Sequence, residues 1–264
     1  MISILMASHN ANKVYFQECM HSILNQSYRD FEIVIVDDFS DISVEQLLLE
    51  LNIIDERIVV IRCDMNIGLP RALNLGMKYC KGEYIARMDD DDIMCKDRLE
   101  KQYKYMSDNA HLTACFSWYE RIDSKGRVVK VETFPIKGFS VKKTLLSKGN
   151  VFCHSSLFIK KEGFREINGY DENLRYAQDC DLYIRLLEKY EIGIVNSILL
   201  QFRINNYRTN YYRDCLSLTY SYFAAFRYFA KPGKLNFFEY IWFAKRTVRF
   251  FVGCIKVIVS NKSE

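Results

Sequence analysis

Short apolar segments alternate with amphipathic segments along the first 110 residues, and this alternation limits the fold more than any other feature. Ile2–Ser8 and Phe31–Asp38 have the pattern of buried strands, and the second is rich in β-branched residues. A helical pattern over Lys13–Gln26 separates them, and no hairpin signal joins one strand to the next. This order predicts an α/β fold, a mostly parallel sheet with helices on both faces. The other predicted elements of this half are helices at Ser43–Leu51, Leu69–Cys80 and Lys96–Met106 and strands at Arg57–Cys63 and Tyr84–Asp89.

The second half of the chain is less regular. Leu112–Asp123 and Arg127–Phe134 predict a hairpin that turns at Ser124–Gly126. Further predicted elements are a strand at Val151–Lys161, a helix at Cys180–Tyr190 and one or two strands over Ile192–Ile204.

Composition excludes several classes of protein. Hydrophobic residues make up 49% of the 264 residues and charged residues 27%, which favours a packed core over disorder. Nine cysteines without a CxxC pair, and no secretory leader, indicate reduced thiols in a cytosolic protein. The formal charge is +4, and residues 231–264 hold +5 of it, from seven Lys/Arg and two Glu, so the body carries about −1. We expect no nucleic-acid partner, because such proteins more often carry basic surface across the folded body.

Acidic residues follow two of the predicted strands. Asp38 lies at the end of one strand and Asp89–Asp92 at the end of another, and in parallel sheets ligands bind outside the carboxyl ends of the strands. Paired carboxylates suit Mg²⁺ or Mn²⁺. The alternative is a solvated acidic turn, because short acidic motifs often occur by chance. Asp38 has two candidate roles, a hydrogen bond to a nucleobase or an N-cap for the following helix.

Five blocks of sequence follow one another in the order and spacing of family 2 glycosyltransferases of the GT-A fold. Over roughly residues 1–205 the chain resembles that family. The blocks are "ISILMASHN", "SILNQSYRDFEIVIVDDFSD", "NIGLPRALNLGMKYCKGEYIARMDDDD", "HSSLFIK" and "NGYDENLRYAQDCDLYIRLL".

The resemblance implies an inverting hexosyltransferase that uses a nucleotide-diphosphate sugar, with UDP as the expected nucleotide. Asp89–Asp91 matches the family's DxD motif: Asp91 would ligate Mn²⁺ or Mg²⁺, and Asp89 would contact the ribose or the metal. Asp92 matches the aspartate that often follows this motif and would have a supporting role. The residues implied at the nucleotide are Ala7 and His9 within Met6–Asn10, Asp38 on the base, and Asn66, Gly68 and Arg71 on a closing loop.

Asp179 matches the family's general base, at the start of a late helix. The residue before it is Gln178, where the family usually has Glu. His154 matches a histidine behind the acceptor site, and the alternative is a buried histidine bonded to backbone. Tyr207–Arg213 would lie near the diphosphate or the acceptor.

The last part of the chain is aromatic and basic. Lys245, Arg249 and Lys256 share a narrow arc at about 100° per residue, and Phe243 lies among the apolar residues outside it. This pattern predicts an interfacial helix. The family resemblance implies that such a helix would lie on the cytoplasmic face of the inner membrane. The alternative is a C-terminal helix that packs on the catalytic domain. The family's usual acceptor is a saccharide, often linked to undecaprenyl diphosphate, in O-antigen or capsule assembly, and inversion of an α-linked donor would give a β-linkage.

We therefore expect a GT-A domain over residues 1–205, with a nucleotide-sugar half (1–110) and an acceptor half (111–205), and a helical extension over 206–264. Two other functions stay open. One is a nucleotide-sugar-binding module without turnover, which Gln178 would favour. The other is a sugar nucleotidyltransferase, which the absence of glycine from "MASHNANK" disfavours.

Overall fold

The structure is a computed structural model. It describes residues 1–135 and 140–204, and in the C-terminal part residues 219, 222, 226, 236, 237, 239–241, 243–245, 247 and 248. The predictions for Tyr207–Arg213 and for most of the basic tail, including Arg249 and Lys256, lie outside these residues.

The first half alternates strands and helices, as the apolar pattern predicts. Asn12 caps the first helix by accepting from the backbone N–H groups of Val14 and Tyr15, which fixes where the helix begins. The elements are β1 (Ile2–Ser8), α1 (Lys13–Leu24), β2 (Phe31–Asp37), α2 (Val44–Glu50), β3 (Ile58–Arg62), α3 (Leu69–Tyr79), β4 (Tyr84–Met88), β5 (Ile93–Met94) and α4 (Arg98–Asp108).

The second half confirms the predicted hairpin but corrects one strand. Val151–Lys161 was expected to be a strand throughout, and only its end is extended. The Ser156 hydroxyl and backbone N–H both donate to the Cys153 carbonyl, which bends the chain into a 3-10 turn. The elements are β6 (Leu112–Ile122), β7 (Val128–Glu132), α5 (Val141–Lys148), the 3-10 turn His154–Ser156, β8 (Phe158–Lys160), α6 (Lys161–Glu166), α7 (Gln178–Lys189) and β9 (Glu191–Arg203).

The strands form one sheet in the order β3-β2-β1-β4-β8-β6-β9-β5, and β7 pairs with β6. The first four strands of that order are parallel, with Ile4 opposite Ile33 on β2 and Ala86 on β4. Beyond β4 the sheet is mixed, because β8 is antiparallel to both β4 and β6 while β9 is parallel to β6. The carboxyl ends of β1, β2 and β4 therefore meet at one edge, where Ser8, Asp37 and Asp89 leave the sheet.

Two hydrophobic cores lie on opposite faces of this sheet. Alternate residues of β1 separate them, with Leu5 in one core and Ile4 and Met6 in the other. Helices α3, α5 and α7 cover the first face, and α1, α2 and α4 cover the second.

Some of the C-terminal residues that the structure describes dock on the first core. Tyr222 and Phe243 belong to it and stack with their ring centroids 5.9 Å apart. Glu239 forms an ion pair with Lys142 of α5 at 2.8 Å. Phe243 therefore packs on the folded body, as the alternative of a packed C-terminal helix expected, whereas the interfacial-helix interpretation places it on the apolar side of a membrane helix. Among the residues described here, no helix has the length and apolar character needed to cross a bilayer.

Candidate active site

The turn after β4 carries the four consecutive aspartates, and protein groups hold the side chains of Asp89, Asp90 and Asp92. Asp89 forms an ion pair with the buried guanidinium of Arg87 and accepts from the Ser155 hydroxyl at 2.9 Å. Asp90 accepts from the hydroxyl of Ser8, the last residue of β1, at 2.6 Å. Asp92 is fully buried, accepts from the backbone N–H of Arg203 at 2.8 Å, and contacts the Ser155 hydroxyl through a carboxylate oxygen. The acidic turn is therefore a fixed part of the sheet edge, in contrast to the solvated turn considered above.

Asp89, Asp91 and Asp92 present carboxylate oxygens that all lie within 4.8 Å of one another. Burial and then the neighbouring negative charges raise the pKa of Asp90 to about 7, raise that of Asp91, and raise that of Asp92 well above its usual range. A divalent cation would relieve this repulsion, and oxygen ligands are those that Mg²⁺ and Mn²⁺ prefer. The residues present fit such an ion.

A cavity of about 380 Å³ opens beside the acidic turn. Asp90 and Asp91 form one wall of it. The residues that follow β1 form the other wall, namely His9, Asn10, Ala11, Asn12 and Tyr15. His9 donates from Nδ1 to the carbonyl of Asp38 at 2.8 Å, so this wall is tied to the end of β2. Ala7, one residue before the end of β1, lies at the same sheet edge.

Asp38 is buried, and its carboxylate accepts from the backbone N–H groups of Ile67 at 2.6 Å and Gly68 at 2.9 Å. Asp38 thereby holds the loop that precedes α3. The Asn66 side-chain amide also donates to the backbone carbonyl of Asp38, at 3.3 Å. The N-cap alternative for Asp38 is wrong, because Ser43 caps α2 by accepting from the backbone N–H of Gln46.

Arg71 lies at the exposed rim of this region. Its guanidinium faces Glu172 at 3.7 Å, across from the turn that leads to α7. Asn74, one helical turn further along α3, exchanges two hydrogen bonds with the backbone of Tyr170, each of 2.9 Å. Helix α3 therefore connects the Asp38 loop with the segment that carries the late acidic residue.

Asp179 lies in the first turn of α7 and is partly buried. It accepts from the Asn150 side-chain amide at 2.6 Å and from the backbone N–H of Cys180 at 2.8 Å. Burial raises its pKa, and the two hydrogen bonds together with the Arg87 cation offset part of that rise.

His154 lies in the 3-10 turn, and its Nε2 forms a hydrogen bond of 2.6 Å with the hydroxyl of Tyr170. Its partner is thus a side chain and not the backbone group that the alternative interpretation expected. Burial and then the Arg87 charge lower the pKa of His154 well below its usual range, so the imidazole is neutral at physiological pH.

Sequence reasoning missed Arg87, which links the two parts of the site. It pairs with Asp89, donates to Ser155, and its charge acts on both His154 and Asp179. A signal was present, because a charged residue stands inside the otherwise apolar strand "YIARM" directly before the acidic run. Ser155 was also missed, and its only sequence signal was the polar pair inside a segment predicted to be a strand.

Comparison with known proteins gives the family. The model of "Glycosyl transferase family 2" matches residues 3–167. The uncharacterized glycosyltransferase MJ1057 of Methanocaldococcus jannaschii is 36% identical over 214 residues, 80% of this chain and 73% of that protein. The O-antigen biosynthesis glycosyltransferase WbnJ of Escherichia coli is 33% identical over 225 residues, 82% of this chain and 86% of WbnJ.

Among solved structures, TarS of S. aureus in complex with UDP-GlcNAc matches with a TM-score of 0.69 at 17% identity, over 94% of this chain and 73% of that one. This likeness confirms the GT-A fold. The sequence matches establish the rest: the chain is a member of glycosyl transferase family 2.

Proposed function

We propose that the chain is an inverting, metal-dependent hexosyltransferase that takes its sugar from a nucleotide-diphosphate donor, UDP-hexose, and passes it to a saccharide. The observation that carries the proposal is the fixed cluster of Asp89, Asp91 and Asp92 beside the cavity at the carboxyl end of β1.

The donor nucleotide would occupy the sheet edge between β1 and β2. His9 and Asp38 lie together there through their 2.8 Å hydrogen bond, and Asn66 borders them. In this arrangement Ala7 and His9 line the nucleotide, Asp38 faces the base, and Arg71 stands at the rim. TarS, which shares the fold, has been solved with UDP-GlcNAc, and this supports a UDP-sugar donor.

Asp91 would ligate Mn²⁺ or Mg²⁺, and Asp89 would contact the ion or the ribose while Arg87 holds it in place. Asp92, buried and bonded to Arg203, would keep the turn rigid. The ion would supply a Lewis acid for the negative charge of the departing diphosphate.

Asp179 would be the general base. It takes the proton of an acceptor hydroxyl while the hydroxyl oxygen bonds to the anomeric carbon and the bond from that carbon to the diphosphate breaks. A raised pKa strengthens a carboxylate as a base near neutral pH. A single displacement of this kind inverts the anomeric centre and gives a β-linked product from an α-linked donor. His154 would support the acceptor side through Tyr170.

The acceptor class we propose is a lipid-linked saccharide, such as a sugar on undecaprenyl diphosphate in surface-polysaccharide assembly. The relative WbnJ is an O-antigen biosynthesis glycosyltransferase, and this supports the class. Asp179 is bonded to Asn150, which closely follows α5, and α5 also binds the C-terminal segment through Lys142. From Lys142 to Lys148, the last residue of α5, is about 9 Å along the helix.

The C-terminal segment would hold the enzyme on the cytoplasmic face of the inner membrane. Its exposed positions include Phe237 (73% exposed), Tyr240 (42%), Ile241 (38%) and Val248 (63%). At about 100° per residue these lie within an arc of about 100°, and the docked Phe243 lies about 60° beyond one edge of that arc. Lys245 is also exposed beside them. An apolar stripe with adjacent basic charge is typical of an interfacial helix that binds anionic lipid.

The test is release of UDP from a panel of UDP-hexoses with a short lipid-diphosphate sugar as acceptor, with Mn²⁺ or with EDTA. We expect metal-dependent release that Asp91→Ala abolishes. The matched control is Asp97→Ala, which removes a nearby exposed carboxylate that pairs with Lys101. Tight UDP binding without turnover of any donor would instead support the non-catalytic module, to which Gln178 gives some weight.

A further inference from the structure

Arg203, the last residue of β9, lies beneath the acidic turn although 112 residues separate it from Asp91. Its side chain is 1% exposed. Its backbone N–H donates to a carboxylate oxygen of Asp92 at 2.8 Å, and its Nε donates to the carbonyl of Asp91 at 2.9 Å. One residue therefore contacts both the main chain and a side chain of the turn.

Other contacts fix the orientation of the same guanidinium. Its Nη2 forms an ion pair with Glu18 of α1 at 2.5 Å, and its Nη1 donates to the carbonyl of Asp123 at 3.3 Å. Its plane covers the ring of Tyr15 with 4.2 Å between the guanidinium carbon and the ring centroid. Tyr15 also lines the cavity, so Arg203, which contacts Tyr15, joins α1, the β6–β7 turn and the acidic turn next to the residues of the cavity wall.

This set of contacts needs arginine. A guanidinium offers several donors in a rigid plane and stacks on aromatic rings, whereas a lysine ammonium is a single point charge on a flexible chain. Groups that hydrogen-bond to metal-binding residues fix the orientation of the ligand atoms and so control the affinity for the metal.

We propose that Arg203 is a positioning residue for the metal site, which sets the geometry of Asp91 and Asp92 from the far end of the sheet. This inference rests on the proposed metal-binding role of the acidic turn. Because its side chain is 1% exposed, Arg203 would not reach donor or acceptor, and its effect would pass through the aspartates.

The experiment measures Mn²⁺ binding by the electron paramagnetic resonance signal of unbound Mn²⁺, without any sugar donor. Arg203→Lys should weaken Mn²⁺ binding by about 10- to 100-fold. The matched control is Arg57→Lys, because Arg57 also pairs with a carboxylate, Asp55 at 2.7 Å, and also lies 4.2 Å over a ring, that of Phe31. Arg57 is remote from the acidic turn, and its substitution should leave Mn²⁺ binding unchanged.

Two further measurements separate positioning from a general loss of structure. Saturating Mn²⁺ should restore the transfer rate of Arg203→Lys, because the aspartates themselves remain. Glu18→Gln removes only the ion pair of a partly exposed carboxylate, and it should lower Mn²⁺ affinity in the same direction but less. If Arg203→Lys fails to fold, Glu18→Gln decides the question.

Wild-type affinity in both Arg203→Lys and Glu18→Gln would overturn the inference and leave the proposed metal site intact. A wild-type chain that binds no Mn²⁺ would overturn both the inference and the metal-dependent part of the proposed function.

Discussion

Asp179 shows how burial sets the chemistry of one carboxylate. Its folded pKa lies above the ordinary value, so ionisation is less favourable in the folded chain than in the unfolded chain. The ionised form therefore costs stability at neutral pH, and that cost disappears as the pH falls below the unfolded pKa. A carboxylate retained in spite of this cost is a candidate for function.

Replacing the proposed base should separate catalysis from binding. Asp179→Asn keeps the size of the side chain but cannot take a proton, so we expect transfer to fall by about 10²- to 10⁴-fold. UDP affinity should be unchanged, and the unfolding free energy at pH 7 should be equal or higher. The measurements are UDP release, calorimetric titration with UDP, and urea unfolding. Transfer at the rate of the wild type would remove Asp179 from the role of base.

Asn150 should tune the pH dependence of the reaction. Its amide stabilises the ionised form of Asp179, so Asn150→Ala should raise the pKa of that carboxyl further. The base acts when ionised, so the transfer rate should fall on the acid side at a pH above the ordinary pKa of aspartate. In the variant this fall should occur at a still higher pH. A pH–rate profile of the two proteins measures this. A limb that stays in place, or moves to lower pH, contradicts the assignment.

At the scale of secondary structure, the acidic edge depends on how closely the chain packs around β1. The backbone of Gly82 lies against the first strand, where its N–H donates to the Ser3 hydroxyl at 2.7 Å. A Cβ at this position would lie 2.5 Å from the Ser3 backbone nitrogen, which is too close for any side-chain adjustment to relieve. This contact fixes the position of Gly82 against β1 and therefore the register of the following strand, β4. Asp89 comes directly after β4, so its position depends on that register.

Gly82→Ala should therefore destabilise the fold. We expect a loss of about 1–3 kcal/mol in the free energy of unfolding, as for other overpacked sites. Urea unfolding followed by circular dichroism measures it, with Lys78→Ala on the exposed side of α3 as the control. Equal stability of the Gly82 variant and the wild type would show that β4 does not need this contact.

The predictability of each element follows from the range of the contacts that determine it. Periodic apolar residues define β1 to β4 and the helices between them, so their positions were predicted within a few residues. The segment around His154 was predicted as a strand because its apolar residues hide the turn that Ser155 and Ser156 make. Arg203 was missed because its partners come from distant parts of the chain, and no local pattern marks such contacts. Arg87 was missed although a charged residue inside an apolar strand is a signal, because its contact with Ser155 joins segments 68 residues apart.

At the scale of the whole molecule, the C-terminal segment is consistent with both interpretations of the tail, a packed helix and a membrane-binding helix. One face of it packs on the catalytic body through Phe243 and Glu239, and the other exposes Phe237, Tyr240 and Ile241. Packing on the body and binding a membrane are therefore compatible. The proposed boundary at residue 205 stays a prediction.

Substitution on the exposed face should detach the enzyme from lipid without unfolding it. The triple variant Phe237→Ser, Tyr240→Ser and Ile241→Ser should lower binding to vesicles that contain anionic phosphatidylglycerol by about 10-fold or more. Deleting residues 235–264 should also release the protein from membranes, but it would remove Phe243 from the core as well.

Vesicle co-sedimentation measures this effect, and Ile54→Ser, at another exposed apolar position, is the control. Transfer to a water-soluble acceptor should persist in the triple variant. Undiminished vesicle binding would show that this face serves another partner.

The central claim is that acidic groups from distant parts of the chain bind one cation and one nucleotide diphosphate. A crystal structure with UDP and Mn²⁺, with data collected at the manganese absorption edge, tests it most directly. We predict an anomalous peak on Asp91, the diphosphate next to it, and the uracil ring beside His9 and Asp38. Manganese or UDP bound away from the acidic turn would contradict the account.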